Sequence, residues 1–207
     1  MAKLLHIQAS PMDDLSFSAR TARAFLDAYR KAHPADPVET LDLWKADIPA
    51  FDFTAASGKY KVMRGLPHAD GEGRAWQRVV ELVDHFKSAD KILLSSPMWN
   101  FGIPYRLKQY IDVIVQPGLT FSYDPKTGYS GLVTGRPVQL ILARGGEYPQ
   151  GSQAAGFDHQ RPYLELILGF IGFTDVRTLV VEPTLSPAGD EKLAVAISAA
   201  QEAARNF

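Results

Sequence analysis

Between Lys91 and Asp112 the chain reads Lys-Ile-Leu-Leu-Ser-Ser-Pro-Met-Trp-Asn-Phe-Gly-Ile-Pro-Tyr-Arg-Leu-Lys-Gln-Tyr-Ile-Asp, and no other stretch limits the fold so strongly. Ile92-Leu-Leu-Ser95 is a short apolar run of the kind a buried parallel strand shows. After Pro104, Leu107, Tyr110, Ile111 and Ile114 recur at helical spacing. The turn between them, Pro97-Met-Trp-Asn-Phe-Gly102, therefore sits at the carboxyl end of a strand, where open α/β sheets bind ligands.

The same strand-to-helix pattern runs through the chain. Leu4 to Ala9 is a strand candidate, followed by a loop and an amphipathic helix carrying Ala22, Phe25, Leu26 and Tyr29, which stops before Pro34. Val38 to Leu43 alternates as a second strand. Residues 44–71 show no sustained period and read as a long surface segment with room for one short helix. Trp76, Val79, Val80, Val83 and Phe86 mark the next helix. Residues 116–131 are rich in turn residues and aromatics, as a hairpin-like excursion would be. Val138 to Ala143 and Asp175 to Val181 are the remaining strands, and an Ala-rich helix begins near Pro187. Residues 162–173 are apolar almost all round, so a helix there needs cover on more than one side, which suggests a subunit interface.

Alternation of this kind implies an α/β fold with one mainly parallel, doubly wound five-stranded sheet between two helical layers, in the flavodoxin-like order 2-1-3-4-5. The 207 residues fit a single domain, 1–207. A net charge of −1 offers no field for a nucleic acid. The absence of cysteine removes thiolate nucleophiles, disulfides and cysteine metal sites, and fits a reducing compartment. With no leader-like or membrane-length apolar run, the expected location is the cytoplasm, with no membrane partner.

In this topology the loops after the first, third and fourth strands converge. The first, Ser10 to Ser18, ends at a helix start where Ser16 and Ser18 can cap, and where hydroxyls and free amides can hold a phosphate. Asp13 and Asp14 then have to point outward. The second offers Met98, Trp99 and Phe101 as an apolar wall and Asn100 as a donor and acceptor, a mixture that suits a flat ring better than a core. The third, Arg144-Gly-Gly146, lets backbone amides come close to a ligand and face developing negative charge.

Pro97-Met-Trp-Asn-Phe-Gly-Ile-Pro104, Leu107-Lys, Ile111-Asp112, Pro117-Gly-Leu-Thr-Phe-Ser-Tyr123, Leu132-Val, Gly135-Arg, Arg144-Gly-Gly146 and Leu168-Gly-Phe-Ile-Gly-Phe-Thr-Asp175 follow one another in that order. Together they resemble the FMN-dependent NADH:quinone oxidoreductases, also called azoreductases, over essentially the whole chain. The resemblance implies a flavodoxin-like homodimer with one FMN per subunit at the subunit interface. By position, Ser10, Ser16, Phe17 and Ser18 would hold the phosphate. Pro97, Met98, Trp99, Asn100 and Phe101 would line the ring, and Ala143, Arg144, Gly145 and Gly146 would approach its opposite edge. Trp99 replaces the usual Tyr and Ala143 a usual hydroxyl residue, which removes one side-chain hydrogen bond.

The activity so implied is a two-electron transfer in which NADH or NADPH passes hydride to the flavin and leaves, and a quinone or azo compound then takes the electrons on the same face. The cofactor carries that chemistry, so no catalytic side chain is assigned. Tyr148 and His159 are candidates for touching substrate. The alternative is a flavodoxin-like electron carrier without turnover of its own, but such carriers suit an acidic docking surface that this nearly neutral chain lacks. No G-x-S-x-G elbow, H-E-x-x-H, P-loop or strand-preceded G-x-G-x-x-G occurs, and His68, Asp70 and Glu72 read as solvated loop residues, so no metal is assigned.

Overall fold

A computed structural model describes residues 1–207. Seven strands and six α-helices follow in the order β1 (Leu4–Gln8), α1 (Phe17–Ala32), β2 (Val38–Asp42), α2 (Phe53–Met63), α3 (Asp70–Lys87), β3 (Lys91–Pro97), α4 (Tyr105–Ile114), β4 (Phe121–Asp124), β5 (Gly128–Gly131), β6 (Pro137–Ala143), α5 (Arg161–Ile171), β7 (Asp175–Val181) and α6 (Gly189–Arg205). Five strands form one parallel sheet in the order β2-β1-β3-β6-β7, the 2-1-3-4-5 order expected once the β4–β5 hairpin is set aside. β3 is central, and beside it β1 sets Leu4 opposite Val38 on one side and Lys91 on the other.

Strand alternation divides the core into two layers. Leu5, Ile7, Ile92, Leu94, Val138, Leu140 and Leu142 face α3, α4 and α5, whereas Leu4, Leu93 and Ile141 face α1 and α6. Ile92, Leu93 and Leu94 are almost fully buried. Each such side chain contributes about 1.5–3 kcal/mol of apolar burial, which is why β3 reads as a continuous apolar run. No helix is long and apolar enough to cross a membrane.

Two regions differ from the sequence reading in how they are built. Within 44–71 the helix is a full 11 residues, capped by Asp52, whose carboxylate accepts from the Ala55 amide at 3.0 Å, and α3 already begins at Asp70. α2 lacks an apolar stripe because it packs through Gly58: a Cβ there would fall on the Glu72 carbonyl oxygen. Glu72 completes the junction, accepting from Ser57 Oγ at 2.6 Å, Lys61 Nζ at 2.7 Å and the Ala69 amide at 2.9 Å. These contacts, Lys61 first, hold its carboxyl down at about 2. The second region is α5. Leu164, Leu168 and Ile171 enter the core, and the second cover comes from the chain's own hairpin, with Phe170 against Phe121 at 4.8 Å and Tyr129 at 5.5 Å. Leu166 remains 71% exposed.

His6 lies inside the α1/α6 side of the sheet, 2% exposed, with Nε2 at 2.9 Å from Ser95 Oγ. Burial, and secondarily the Arg30 charge, push its pKa from 6.5 to about 4, against an opposing pull from Asp42. The unfolded chain therefore takes up a proton at His6 between pH 6.5 and 4 that the folded chain refuses. The stability from keeping His6 neutral is complete above pH 6.5 and is lost as the pH falls to about 4, a change of about 3 kcal/mol. Urea unfolding at pH 7.5 and 4.5 should show wild type losing that much more than His6→Gln; equal losses would contradict the assignment.

Candidate functional site

The loops after β1, β3, β6 and β7 enclose a cleft of about 240 Å³ at the carboxyl edge of the sheet. Ser10, Met12, Leu15, Ser16 and Phe17 come from the first loop, and Pro97, Met98 and Trp99 from the second. Ala143 and Gly145 come from the third, and Thr184 and Leu185 from the fourth.

The first loop ends in an anion-binding arrangement. Ser16 is the N-cap of α1, its hydroxyl accepting from the Ala19 amide at 3.3 Å, and the amides of Phe17 and Ser18 find no acceptor in the chain. Ser10 and Ser18 are buried; Ser18 Oγ lies 3.1 Å from Ser16 Oγ and behind the cleft wall. Asp13 and Asp14 do point outward, where both pair with Arg23 of α1.

The second loop is held in an unusual backbone state. Trp99 and Gly102 exchange both backbone hydrogen bonds, at 3.0 and 2.9 Å, and the residues between them, Asn100 (φ 48°) and Phe101 (φ 68°), are both left-handed. This is the signature of a primed two-residue turn, and its second position normally belongs to glycine. Phe101 there costs about 1–3 kcal/mol, which the surroundings must offset. Its carbonyl accepts from the His159 amide at 3.0 Å, and its ring stacks on Phe157 at 5.0 Å. The strain aims two rings in opposite directions. Trp99, 36% exposed, leans toward Trp44 at 5.6 Å and Tyr105 at 6.3 Å, while Phe101 faces Phe157 and Tyr148. The Asn100 side chain has no partner within the chain.

In the third loop the amides of Gly145 and Gly146 are free, while the Arg144 side chain is turned elsewhere, with Nη2 close to Asp158 Oδ2 but outside hydrogen-bond geometry. Its guanidinium is 3% exposed and ion-paired to Asp158 at 2.8 Å and Glu182 at 3.4 Å. It borders a separate polar cavity together with Tyr148. The structure thus brings Ser10, Ser16, Phe17, Pro97, Met98, Trp99, Ala143 and Gly145 together around the cleft. Asn100, Phe101 and Gly146 follow lining residues in the chain but do not themselves line it, and the Arg144 side chain points away.

None of the residues lining the cleft has an ionisable side chain. Free amides and hydroxyls gather at one end and aromatic and thioether surface at the other. Such a site can hold an anion joined to a flat apolar ring, but its lining offers no acid or base, and no base to activate its Ser10, Ser16 and Thr184 hydroxyls as nucleophiles. The residues present fit FMN, whose phosphate and ring have those two characters.

A family model for the flavodoxin-like fold matches residues 2–205. The chain is 51% identical, over 99% of its length and 98% of the relative's, to an FMN-dependent NADH:quinone oxidoreductase of Nitratidesulfovibrio vulgaris (strain DP4). It belongs to the FMN-dependent NADH:quinone oxidoreductase family. A second member, from Desulfotalea psychrophila, is 45% identical over 95% of this chain and 92% of its own. The crystal structure of an FMN-dependent NADH-azoreductase from Bacillus anthracis in complex with FMN superposes with a TM-score of 0.92 at 30% identity, covering 100% of this chain and 99% of that one.

Met12, Leu15, Thr184 and Leu185 also line the cleft, and Trp44 backs Trp99, without any sequence motif that marks them. Thr184 and Leu185 are drawn in because their amides donate to the Arg144 and Gly145 carbonyls, at 2.9 and 3.2 Å. The fifth strand of a 2-1-3-4-5 sheet ends beside the fourth, so its loop was available as a signal. Trp44 follows β2 at the same edge and donates its indole N–H to the Ala9 carbonyl at 2.9 Å, which places its ring against Trp99.

Proposed function

We propose that this chain is an FMN-dependent reductase that takes two electrons from NADH or NADPH and delivers them to quinones or azo compounds in a ping-pong sequence. The observation that carries this reading is the cleft itself: an anion cradle at a helix start, an aromatic wall, and no ionisable lining. When bound, FMN supplies the hydride-accepting and hydride-donating chemistry. The protein's part is to hold and shape. The Phe17 and Ser18 amides with Ser10 and Ser16 take the phosphate end; Pro97, Met98, Trp99, Asn100 and Phe101 fix the ring plane; the Gly145 and Gly146 amides face the opposite edge beside Ala143. Donors aimed in advance at developing negative charge stabilise it without reorganising. Tyr148 and His159 flank Phe101, where an acceptor would enter.

The unit is one domain over 1–207, built on a single parallel sheet. We assign it to a homodimer because the cleft is smaller than the roughly 300–1,000 Å³ of sites that enclose a whole ligand, so a further wall is needed. α2 exposes Phe53 (84%), Tyr60 and Met63, and the residue Leu66 just beyond it, apolar surface that a second copy would cover. The cysteine-free composition suits the cytoplasm.

Purified protein should carry, or take up from solution, the visible spectrum of FMN; a colourless chain that ignores added FMN overturns the proposal. Asn100→Ala should weaken FMN binding about tenfold, the loss of one good hydrogen bond. An unchanged dissociation constant removes Asn100 from the site.

A further inference from the structure

We infer that Arg144 is a positioning residue, a buried cation that sets the shape of the FMN site without touching it. The inference rests on the FMN reading above. Placed by resemblance at the edge of the flavin, Arg144 turns its side chain the other way, into the body of the protein.

Its contacts reach four segments. Nη2 lies 2.8 Å from Asp158 Oδ2, Nη1 3.4 Å from Glu182 Oε2, and Nε donates to Gln160 Oε1 at 3.2 Å. Gln160, itself fully buried, donates onward to the Ser96 carbonyl near the end of β3 at 3.4 Å. Its backbone is equally committed: the Arg144 amide donates to Val181 at 3.0 Å, and its carbonyl accepts from Thr184 at 2.9 Å. One residue therefore joins the ends of β3, β6 and β7 to the start of α5.

Two cleft features hang on that junction. Gly145 and Gly146 follow Arg144 directly, so the direction of their free amides is fixed by how it is anchored. Asp158 also accepts from the Gln160 and Arg161 amides, both at 3.1 Å, and the next residue, His159, donates the backbone hydrogen bond that holds Phe101 left-handed. Losing the guanidinium would leave Asp158 held only by the amides of its own segment, and so loosen the segment that keeps the strained Trp99–Gly102 turn in place. The guanidinium faces Asp158, Glu182 and Gln160 through three separate nitrogens held in one rigid plane, whereas an ammonium would have to reach all three from a single point on a flexible stem.

The test compares wild type, Arg144→Met, Arg144→Lys and the charge-compensated Arg144→Met/Asp158→Asn/Glu182→Gln. Apoprotein is titrated with FMN by fluorescence quenching, bound flavin is examined by visible circular dichroism, and melting is followed by far-ultraviolet circular dichroism. Positioning predicts an FMN affinity about tenfold lower or worse in Arg144→Met, with an altered visible dichroism. It predicts further that the triple variant regains the melting temperature but not the affinity. Unchanged affinity and dichroism in Arg144→Met, or affinity that returns together with stability in the triple variant, overturns the inference. If Arg144→Met does not fold, Arg144→Lys decides: weakened FMN binding with wild-type far-ultraviolet dichroism supports positioning, and unchanged binding overturns it. A wild-type chain that takes no FMN overturns the functional reading, and this inference with it.

Discussion

Ser16→Asp should abolish FMN binding at ordinary concentrations while leaving the apoprotein as stable as before. Ser16 is the N-cap of α1, with its hydroxyl on the Ala19 amide. Aspartate caps as well as serine does and adds a favourable charge at the positive end of the helix dipole, so folding loses nothing. The same carboxylate would sit among the unpaired Phe17 and Ser18 amides, the groups proposed to receive the phosphate, and would both satisfy them and repel a dianion. Like charges brought together cost several kcal/mol, so a loss of about 100-fold or more in affinity is expected. Asp13 and Asp14 escape this conflict only because they are exposed and paired with Arg23. Titration of apoprotein with FMN, beside a melting curve without it, separates the two effects. A dissociation constant within about threefold of wild type would mean that the anion end of the cleft lies elsewhere.

The second large effect is on stability, at the seam between the β4–β5 hairpin and α5. Gly131 ends β5 against the left-handed Gly172 that terminates α5 (φ 118°). A Cβ at Gly131 would fall on the backbone N and Cα of Gly172 and the carbonyl carbon of Ile171, none of which can rotate away. Next to it the Val133 amide donates to the Ile171 carbonyl at 2.8 Å, so the hairpin cannot back off without losing that bond. Gly131→Ala should therefore cost about 3 kcal/mol, at the upper end of overpacking effects. Gly128, with positive φ but open space around it, should lose only about 1 kcal/mol as alanine. Urea unfolding of both variants measures this. A Gly131→Ala midpoint indistinguishable from wild type would show that the hairpin is not fixed on α5 as described, and that Phe170 lacks its cover.

What could be read from the sequence follows from what kind of interaction each element depends on. The sheet was legible because buried parallel strands leave uninterrupted apolar runs, as Ile92 to Leu94 do, and the strand order then brings the first, third and fourth loops together without further information. α2 was only half visible. Its apolar side chains face outward, and its attachment to α3 depends on a missing side chain at Gly58 and a polar knot around Glu72, neither of which has a period. α5 was legible as a helix needing two covers, but a run of apolar letters does not say whether the second cover is another subunit or Phe121 and Tyr129 of the same chain. In the site, Gly145 and Gly146 were informative because a residue without a side chain leaves its amide open to approach. Arg144 was not, because the direction of its guanidinium is set by Asp158 and Glu182, partners 14 and 38 residues further along the chain. The left-handed pair at Asn100 and Phe101 had no sequence signal either, since phenylalanine is a residue that local preference would keep out of that conformation.

A flavin held in the cleft is, on the proposed function, turned over by this protein itself. Anaerobic mixing of the FMN-loaded protein with NADH, followed by a quinone, tests it most directly. NADH should bleach the flavin's visible absorbance and the quinone should restore it, over repeated cycles. Bound FMN that keeps its colour in the presence of both NADH and NADPH would contradict the reductase and leave only a flavin carrier.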